Sequence, residues 1–245
     1  VAKYFLLLKV CSRAKGSRVT RAAAYRAGER IRDERTSESY NYSDRKDIVH
    51  SEIILPDGVA PGSDIEWARN RAKLWNAAEL AGTRRNSRLG REVLVILPSE
   101  ISAASRTELA RKSLSNSLRN AEMQSISLCT SHAPAATSGT TAHLLMTTRE
   151  VTPKGLGTRT ILDLSGTERR ARGLGPSKID LLWIRERWAE LTNQALSEAR
   201  ISRRVDHRSY RLQVLDRDSA VALALVHHDE RTSEDRPRSR TRKRS

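Results

Sequence analysis

Cysteine is nearly absent from the chain, with Cys11 and Cys129 the only two in 245 residues. Two thiols cannot build a disulfide framework or a thiolate metal cluster, so a reducing cytoplasm is the expected setting and burial in apolar segments the expected fate of both. Acid is scarce beside base: 29 Asp and Glu stand against 45 Lys and Arg, a formal net charge of +16. An imbalance of that size, spread along the chain as well as collected at its end, points to a polyanionic partner or anionic surface, with nucleic acid foremost. Aromatics are sparse. One Phe, five Tyr and four Trp offer little material for the base-stacking surface of an RNA-binding module. No run reaches the roughly 18 to 20 apolar residues of a membrane span, and the opening VAKYFLLLKV is short and lacks a cleavage region, so neither membrane insertion nor export is expected. The G-x-x-x-x-G-K-[ST] phosphate loop is missing, and RRARGLGPSK lacks both its spacing and the preceding strand, which excludes an ATP-driven motor. With no spaced Cys and His pairs, a zinc finger is excluded as well.

Hydrophobic patterning supplies the elements. VAKYFLLLKV is apolar on both faces and predicts a central strand. TRAAAYRAGERIRDER predicts a helix with Ala23, Ala27 and Ile31 on its buried side and Tyr25 on the polar side, in line with Arg21, Gly28, Glu29 and Arg32. SEIILP reads as a short strand and DGVAPGS as a loop. Ser63 and Glu66 have capping-box spacing ahead of a helix through Leu80 that buries Trp67, Leu74, Trp75 and Ala78. REVLVILP is the clearest strand, and Ser105 with Glu108 predicts the cap of a helix reaching about Asn120. Ser125 to Ser131 and His143 to Thr148 follow as two short strands, then a long amphipathic helix from about Ser177 to Arg200. This order predicts an α+β domain, a sheet with helices packed mainly on one face. Beyond about Asp216, SAVALALVHHDE is ambiguous between strand and helix. RPRSRTRKRS, with six basic residues in ten, predicts a disordered tail that adds phosphate affinity without sequence preference.

Several side chains suggest chemistry. Tyr25, on an arginine-bearing helix face, has the makings of a nucleophile towards a phosphodiester, since cationic neighbours favour both phenolate and anionic substrate. By its helical position alone it reads first as a partly buried tyrosine closing the edge of a core. His132 and His143, eleven positions apart around two strands, are candidate ligands for a divalent cation, and each is also an ordinary hydrogen-bonding residue at a strand start. Glu92 opens a strongly apolar strand, where a carboxylate must find a partner, and it is the candidate to orient a metal-bound imidazole from behind. His50, before SEIILP, is a candidate supporting or DNA-contacting group. His227 and His228 read as solvent-facing residues beside the tail.

The run YFLLLKVCSRAKGSRVTRAAAYRAGE, followed in order by DIVHSEIILP, LWNAAE, GREVLVILP, AHLLMTTRE and RVDHRSY, resembles the N-terminal relaxase domain of the MobA/MobL family of plasmid mobilisation proteins over about Ala2 to Tyr210. The resemblance implies a relaxase domain over residues 1–215, with an antiparallel-dominated central sheet, and a short extension over 216–245. It implies a metal-dependent tyrosine transesterase of the histidine-hydrophobe-histidine class that nicks and rejoins one strand at a transfer origin. Tyr25 in RAAAYRAGE then takes the place of the nucleophile, and His132 and His143 the places of the first and last metal-binding histidines. Arg21, Arg26 and Arg32 are the nearest candidates for positioning DNA phosphates. A divalent cation, Mn²⁺ or Mg²⁺ with Zn²⁺ as alternative, is the implied cofactor. The implied partners are single-stranded plasmid origin DNA, accessory relaxosome proteins and a conjugative coupling protein, in the cytoplasm. With only about 35 residues beyond the resemblance, a minimal relaxase is expected.

One departure is specific. Where the family carries asparagine-proline-histidine-X-histidine, this chain reads GTTAH, so Thr141 stands in place of the middle ligand. A threonine hydroxyl is a poor ligand beside an imidazole, and Glu92, His50, water or a substrate phosphate would have to fill the corner. Two readings follow: a nicking enzyme on a two-histidine site, or a noncatalytic or weakly catalytic single-strand DNA-binding protein on the same scaffold. Initiation of rolling-circle replication uses similar chemistry in a different motif neighbourhood.

Overall fold

The computed structural model describes residues 3–56, 62–118, 126–132 and 140–208. Fourteen helices and strands alternate in these segments, linked in places by single 3-10 turns. In chain order they are β1 (Leu6–Ser12), α1 (Val19–Ala27), β2 (Arg30–Arg32), β3 (Ser39–Asn41), β4 (Ile48–Ile54), α2 (Arg71–Ala81), β5 (Arg88–Leu97) and α3 (Ala103–Leu118). Then come β6 (Ile126–His132), β7 (Thr140–Thr147), β8 (Arg149–Thr152), β9 (Gly155–Arg159), α4 (Gly166–Ala171) and α5 (Ser177–Glu198). Five strands form an antiparallel sheet in the order β1-β5-β7-β6-β4, while β2-β3 and β8-β9 are separate two-stranded ribbons.

The α+β class and the antiparallel sheet agree with the sequence pattern, but the helices divide between both faces. On one face Val93, Val95 and Leu97 of β5 and Ala142, Leu144 and Met146 of β7 pack with Leu109 and Ala110 of α3 and Trp188 and Leu191 of α5. On the other, Cys11, Leu89 and Leu145 pack with Val19, Ala23 and Ala24 of α1 and Leu74, Trp75 and Ala78 of α2. Each large apolar side chain sealed in this way stabilises the fold by about 1.5 to 3 kcal/mol. Helices are needed on both sides because the central strands are apolar on both sides.

Four further expectations change. β1 is an edge strand, not a central one, and its second apolar face is left open: Phe5 and Leu7 are each 38 % exposed. The Tyr25 helix stops at Ala27 because Gly28 turns left-handed at φ +64° and its N–H closes on Ala24 O, so Ile31 is buried from β2 instead. Ser63 and Glu66 lead into a 3-10 turn, Glu66–Arg69, and α2 is capped by Asn70, whose side chain accepts from Lys73 N. Ser102, not Ser105, caps α3, accepting from Ser105 N at 3.1 Å.

The chain divides into Val1–His207 and Arg208–Ser245. The expected boundary at 215/216, the tail, His227 and His228 lie outside the described residues, as do most of the DGVAPGS loop and the connection between β6 and β7. Among the described residues no helix is long and apolar enough to cross a membrane.

Candidate functional site

The helix carrying Tyr25 is fixed at three points. Its small side chains Ala23 and Ala24 are buried against the sheet. At its start, Val19 N donates to the buried carboxylate of Glu79 at 2.7 Å, supplying an acceptor and a negative charge where a helix N-terminus lacks both. Beneath Val19 lies Gly90, where a Cβ would meet Val19 Cγ2 at 2.8 Å; the absent side chain lets α1 settle onto β5. From this seat Tyr25 projects outward, 47 % exposed.

Two residues that sequence reasoning missed hold the tyrosine in place. Tyr42 packs edge-to-face against it, with ring centroids 5.2 Å apart and planes at 89°. The Arg45 guanidinium lies 4.1 Å from the Tyr25 ring centroid and donates to Tyr25 O at 2.6 Å, while Asp47 accepts from its Nε at 2.9 Å. Both come from the polar segment YNYSDRKD, whose composition signals a turn but not its destination.

Beside the helix, the register aligns one residue from each strand: Leu7, Leu94, His143, Cys129 and Ser51. His143 Nδ1 donates to Glu92 Oε1 at 2.7 Å. Glu92 is gripped in turn by Arg26, Nε to Oε1 and Nη2 to Oε2, both at 2.5 Å. Burial pushes the Glu92 carboxyl up, but the hydrogen bonds from His143 and Arg26 and the guanidinium charge outweigh it and hold the group down at about 2. Glu92 is therefore an anion at neutral pH, acting as an acceptor. By taking the proton on Nδ1 it leaves Nε2 as the ring nitrogen with a lone pair. On the far side of His143, Cys129 Sγ lies 3.4 Å from Ser51 Oγ, which accepts from Arg71 at 2.7 Å, and Arg71 pairs with Glu29. Burial raises the Cys129 thiol, keeping it protonated.

The structure therefore gathers Arg26, Glu92 and His143 next to the Tyr25 helix. Thr141 is two residues before His143 on β7, opposite Ile96 and Ser131, so it shares the alternation of His143. His132 ends β6 opposite Thr140, on the strand alternation opposite to that of Thr141 and His143, so the register does not bring it to the His143 face; its side chain lies outside the described residues. His50 is not part of this gathering. It lies 2.9 Å from Glu52, and Glu52 accepts from Arg111 of α3, which places the set on the opposite face. Arg26 is committed to Glu92 and not held out towards solvent; Arg21 donates to Tyr42 Oη at 3.1 Å, and Arg32 is exposed on β2. Among the described residues no three His, Cys, Asp or Glu converge as a metal cluster. What fits a cation beside the Tyr25 helix is His143, an imidazole backed through Nδ1 by the buried Glu92 carboxylate, with Nε2 free of that bond.

Comparison with known proteins identifies the family. The MobA/MobL family model matches residues 17–228. The chain is 32 % identical over 241 residues to the mobilization protein MobL of Acidithiobacillus ferridurans, covering 86 % of this chain and 58 % of that protein. It is 29 % identical over 252 residues to a probable mobilization protein MobA of Bifidobacterium longum, covering 90 % and 43 %. The chain thus spans about half the length of these relatives. A solved structure concerned with the molecular basis of vancomycin resistance transfer in Staphylococcus aureus superposes with a TM-score of 0.64 at 28 % identity, covering 85 % of this chain and all of that one. With the family match extending over most of the chain and the fold shared with that structure, the chain belongs to the MobA/MobL family.

Proposed function

We propose that the chain nicks and rejoins one DNA strand at a plasmid transfer origin, by tyrosine transesterification, during conjugative mobilisation. The observation that carries this reading is the linkage of Tyr25 to an oriented imidazole: the neighbouring residue on α1, Arg26, holds Glu92, and Glu92 holds His143. A nucleophile and an electrophile-binding group tied through two charge-assisted contacts have their relative position set before substrate arrives.

The Tyr25 oxygen attacks the scissile phosphorus and the bond from phosphorus to the 3′-oxygen breaks. The products are a 5′-phosphotyrosyl bond and a free 3′-hydroxyl, which takes up a proton in place of the one lost by the phenol. The exchange keeps one phosphodiester for each one broken, so the reverse step rejoins the strand. Arg45 holds the Tyr25 ring, and Arg21 and Arg32 position neighbouring phosphates. His143 is the residue that would hold a divalent cation, Mn²⁺ or Mg²⁺ by preference and Zn²⁺ as alternative, and His132, on the other strand alternation at the end of β6, would have to turn round that strand end to join it. Such an ion supplies polarisation of a non-bridging phosphate oxygen. Glu92 fixes the tautomer of His143 for that role. The partners of this reading are origin DNA in single-stranded form, accessory relaxosome proteins and a coupling protein, in the cytoplasm.

Thr141 favours a second reading, a single-strand origin-binding protein with weak or absent cleavage, because the family's middle imidazole is replaced by a hydroxyl. The two separate on one gel. Incubation with labelled single-stranded origin DNA and Mn²⁺ is expected to give a denaturation-resistant adduct that vanishes in Tyr25→Phe. Binding with no adduct at any metal concentration selects the second reading.

A further inference from the structure

At the far end of the sheet, the C-terminus of α2, the start of β5 and the β8-β9 ribbon border a cavity of about 390 Å³ lined by Arg84, Arg88, Arg149 and Arg159 together with Asp163 and Ser165. Arg88 is six residues along β5 from Leu94, the strand neighbour of His143, a separation of about 20 Å. The cavity is therefore distinct from the Tyr25 and His143 region.

Its charges do not cancel. Asp163 is already held by Arg91, which donates from Nη2 at 2.7 Å and from Nε at 3.3 Å, and Arg88 stands off at 3.9 Å. Glu168, a second acid nearby, accepts from Ser165 N at 2.7 Å in the capping box of α4, with Arg159 3.5 Å away. Arg149 uses one N–H on Gly157 O at 2.8 Å. Each guanidinium carries five donors, so these contacts use only part of the capacity of the four arginines that line the cavity. The walls are held as well: Thr148 Oγ1 donates to Arg88 O at 3.1 Å, and Arg84 N donates to Ser87 Oγ at 3.0 Å. Four guanidiniums around a polar space, outnumbering the two carboxylates they meet, Asp163 and Glu168, match the planar, multidentate recognition of phosphate oxygens.

We propose that this cavity is a second phosphate-binding site, taking a backbone phosphate of the DNA well away from the nick. The proposal rests on the DNA-binding reading above and deepens it: the strand is held at two separated points, which fixes its path over the sheet. A free phosphate compound shares the same chemistry, and the experiment separates the two sources.

The test uses the full chain with fluorescent dT30 in anisotropy titrations from 50 to 200 mM salt, and with inorganic pyrophosphate in calorimetry. The Arg84→Gln/Arg88→Gln variant is expected to bind dT30 about 10-fold more weakly at the low-salt end, with its log–log salt slope reduced by about 1.4, the value for two lost single-strand phosphate contacts. Arg84→Lys/Arg88→Lys keeps the charge and is expected to restore most of the slope, a rescue that a merely structural role of the arginines does not give. Equal dT30 affinity and slope in wild type and the Gln variant, with no pyrophosphate binding, overturns the proposal. Pyrophosphate bound by wild type and lost in the Gln variant, with dT30 affinity unchanged, overturns DNA as the source while keeping the phosphate chemistry. Failure of the wild type to bind dT30 at all overturns the DNA reading itself, and the pyrophosphate arm then judges the cavity alone.

Discussion

Each face of the central sheet carries an imidazole, a glutamate and an arginine that grips the glutamate with two nitrogens. On the α1 face these are His143, Glu92 and Arg26; on the α3 face they are His50, Glu52 and Arg111. The distances barely differ, with imidazole to carboxylate 2.7 Å in the first set and 2.9 Å in the second. The surroundings do. The Glu92 side chain is 3 % exposed and Arg26 18 %, against 24 % for Glu52 and 45 % for Arg111. Water screens the second set and competes for its donors, so it is a surface ion pair of small consequence. The first set sits in a low-dielectric seam and is joined to the helix that carries an exposed tyrosine. A residue triplet acquires a role from its burial and its neighbours, not from its composition.

The largest expected effect breaks the comparison at its functional end. Tyr25→Phe should abolish the covalent protein-DNA adduct on denaturing gels while leaving single-strand affinity within about twofold, because only the attacking oxygen is removed. Next come His143→Ala, expected to slow adduct formation by more than about 100-fold because the imidazole itself is removed, and Glu92→Gln, expected to slow it by about 10- to 100-fold, the range seen when a group supporting a metal-bound imidazole is lost. Glu92→Gln also strands the Arg26 guanidinium, and chemical denaturation should show a loss of about 2 kcal/mol, lower than for a fully buried pair because Arg26 is partly exposed. Thr141→His should tighten Mn²⁺ or Zn²⁺ binding by about 10-fold or more in calorimetry if His143 ligates, since it adds an imidazole on the same strand alternation. No gain would count against a metal at His143.

Acid sharpens the contrast further. The Glu92 carboxyl is held below its usual value, at about 2, so the folded state binds fewer protons than the unfolded chain between about pH 4.5 and 2. Its contribution is complete above about pH 4.5 and is lost as pH falls through about 2, and Glu92→Gln should flatten the stability curve across that window. Burial raises the Glu52 carboxyl, but Arg111 and His50 bring it below its ordinary value, so its contribution has the same sign. The smallest effect is at this exposed set. Glu52→Gln should cost about 0.5 kcal/mol and leave adduct formation unchanged, and a substantial loss of activity would mean that the α3 face takes part in the chemistry.

The sequence made some of this visible. A carboxylate opening the apolar strand REVLVILP had to find a partner, and Glu92 found one in His143, a diagonal neighbour across β5 and β7. Arg26 looked like a phosphate ligand because its partner is 66 residues away, a contact that no local pattern encodes. Arg45 escaped notice for a related reason: it reaches Tyr25 through the fold, from a segment whose residues signal only a turn. β1 looked central because two apolar faces suit a buried strand; here the second face stays open at the sheet's edge. The helix end at Gly28 was legible in principle, since glycine is the usual left-handed terminator, but the charged run GERIRDER continued the helical spacing and masked it.

Gly90 has a consequence for how such a chain can diverge. The hydrogen atom on its α-carbon works as a spacer of minimum thickness between strand and helix: Val19, wholly buried, has no room to withdraw from a methyl group at 2.8 Å. A heavier residue there would press against α1, the helix from which Arg26 reaches Glu92. The seat of the Tyr25 helix on the sheet is thus set from below by a side chain that is absent, in the buried contact between strand and helix.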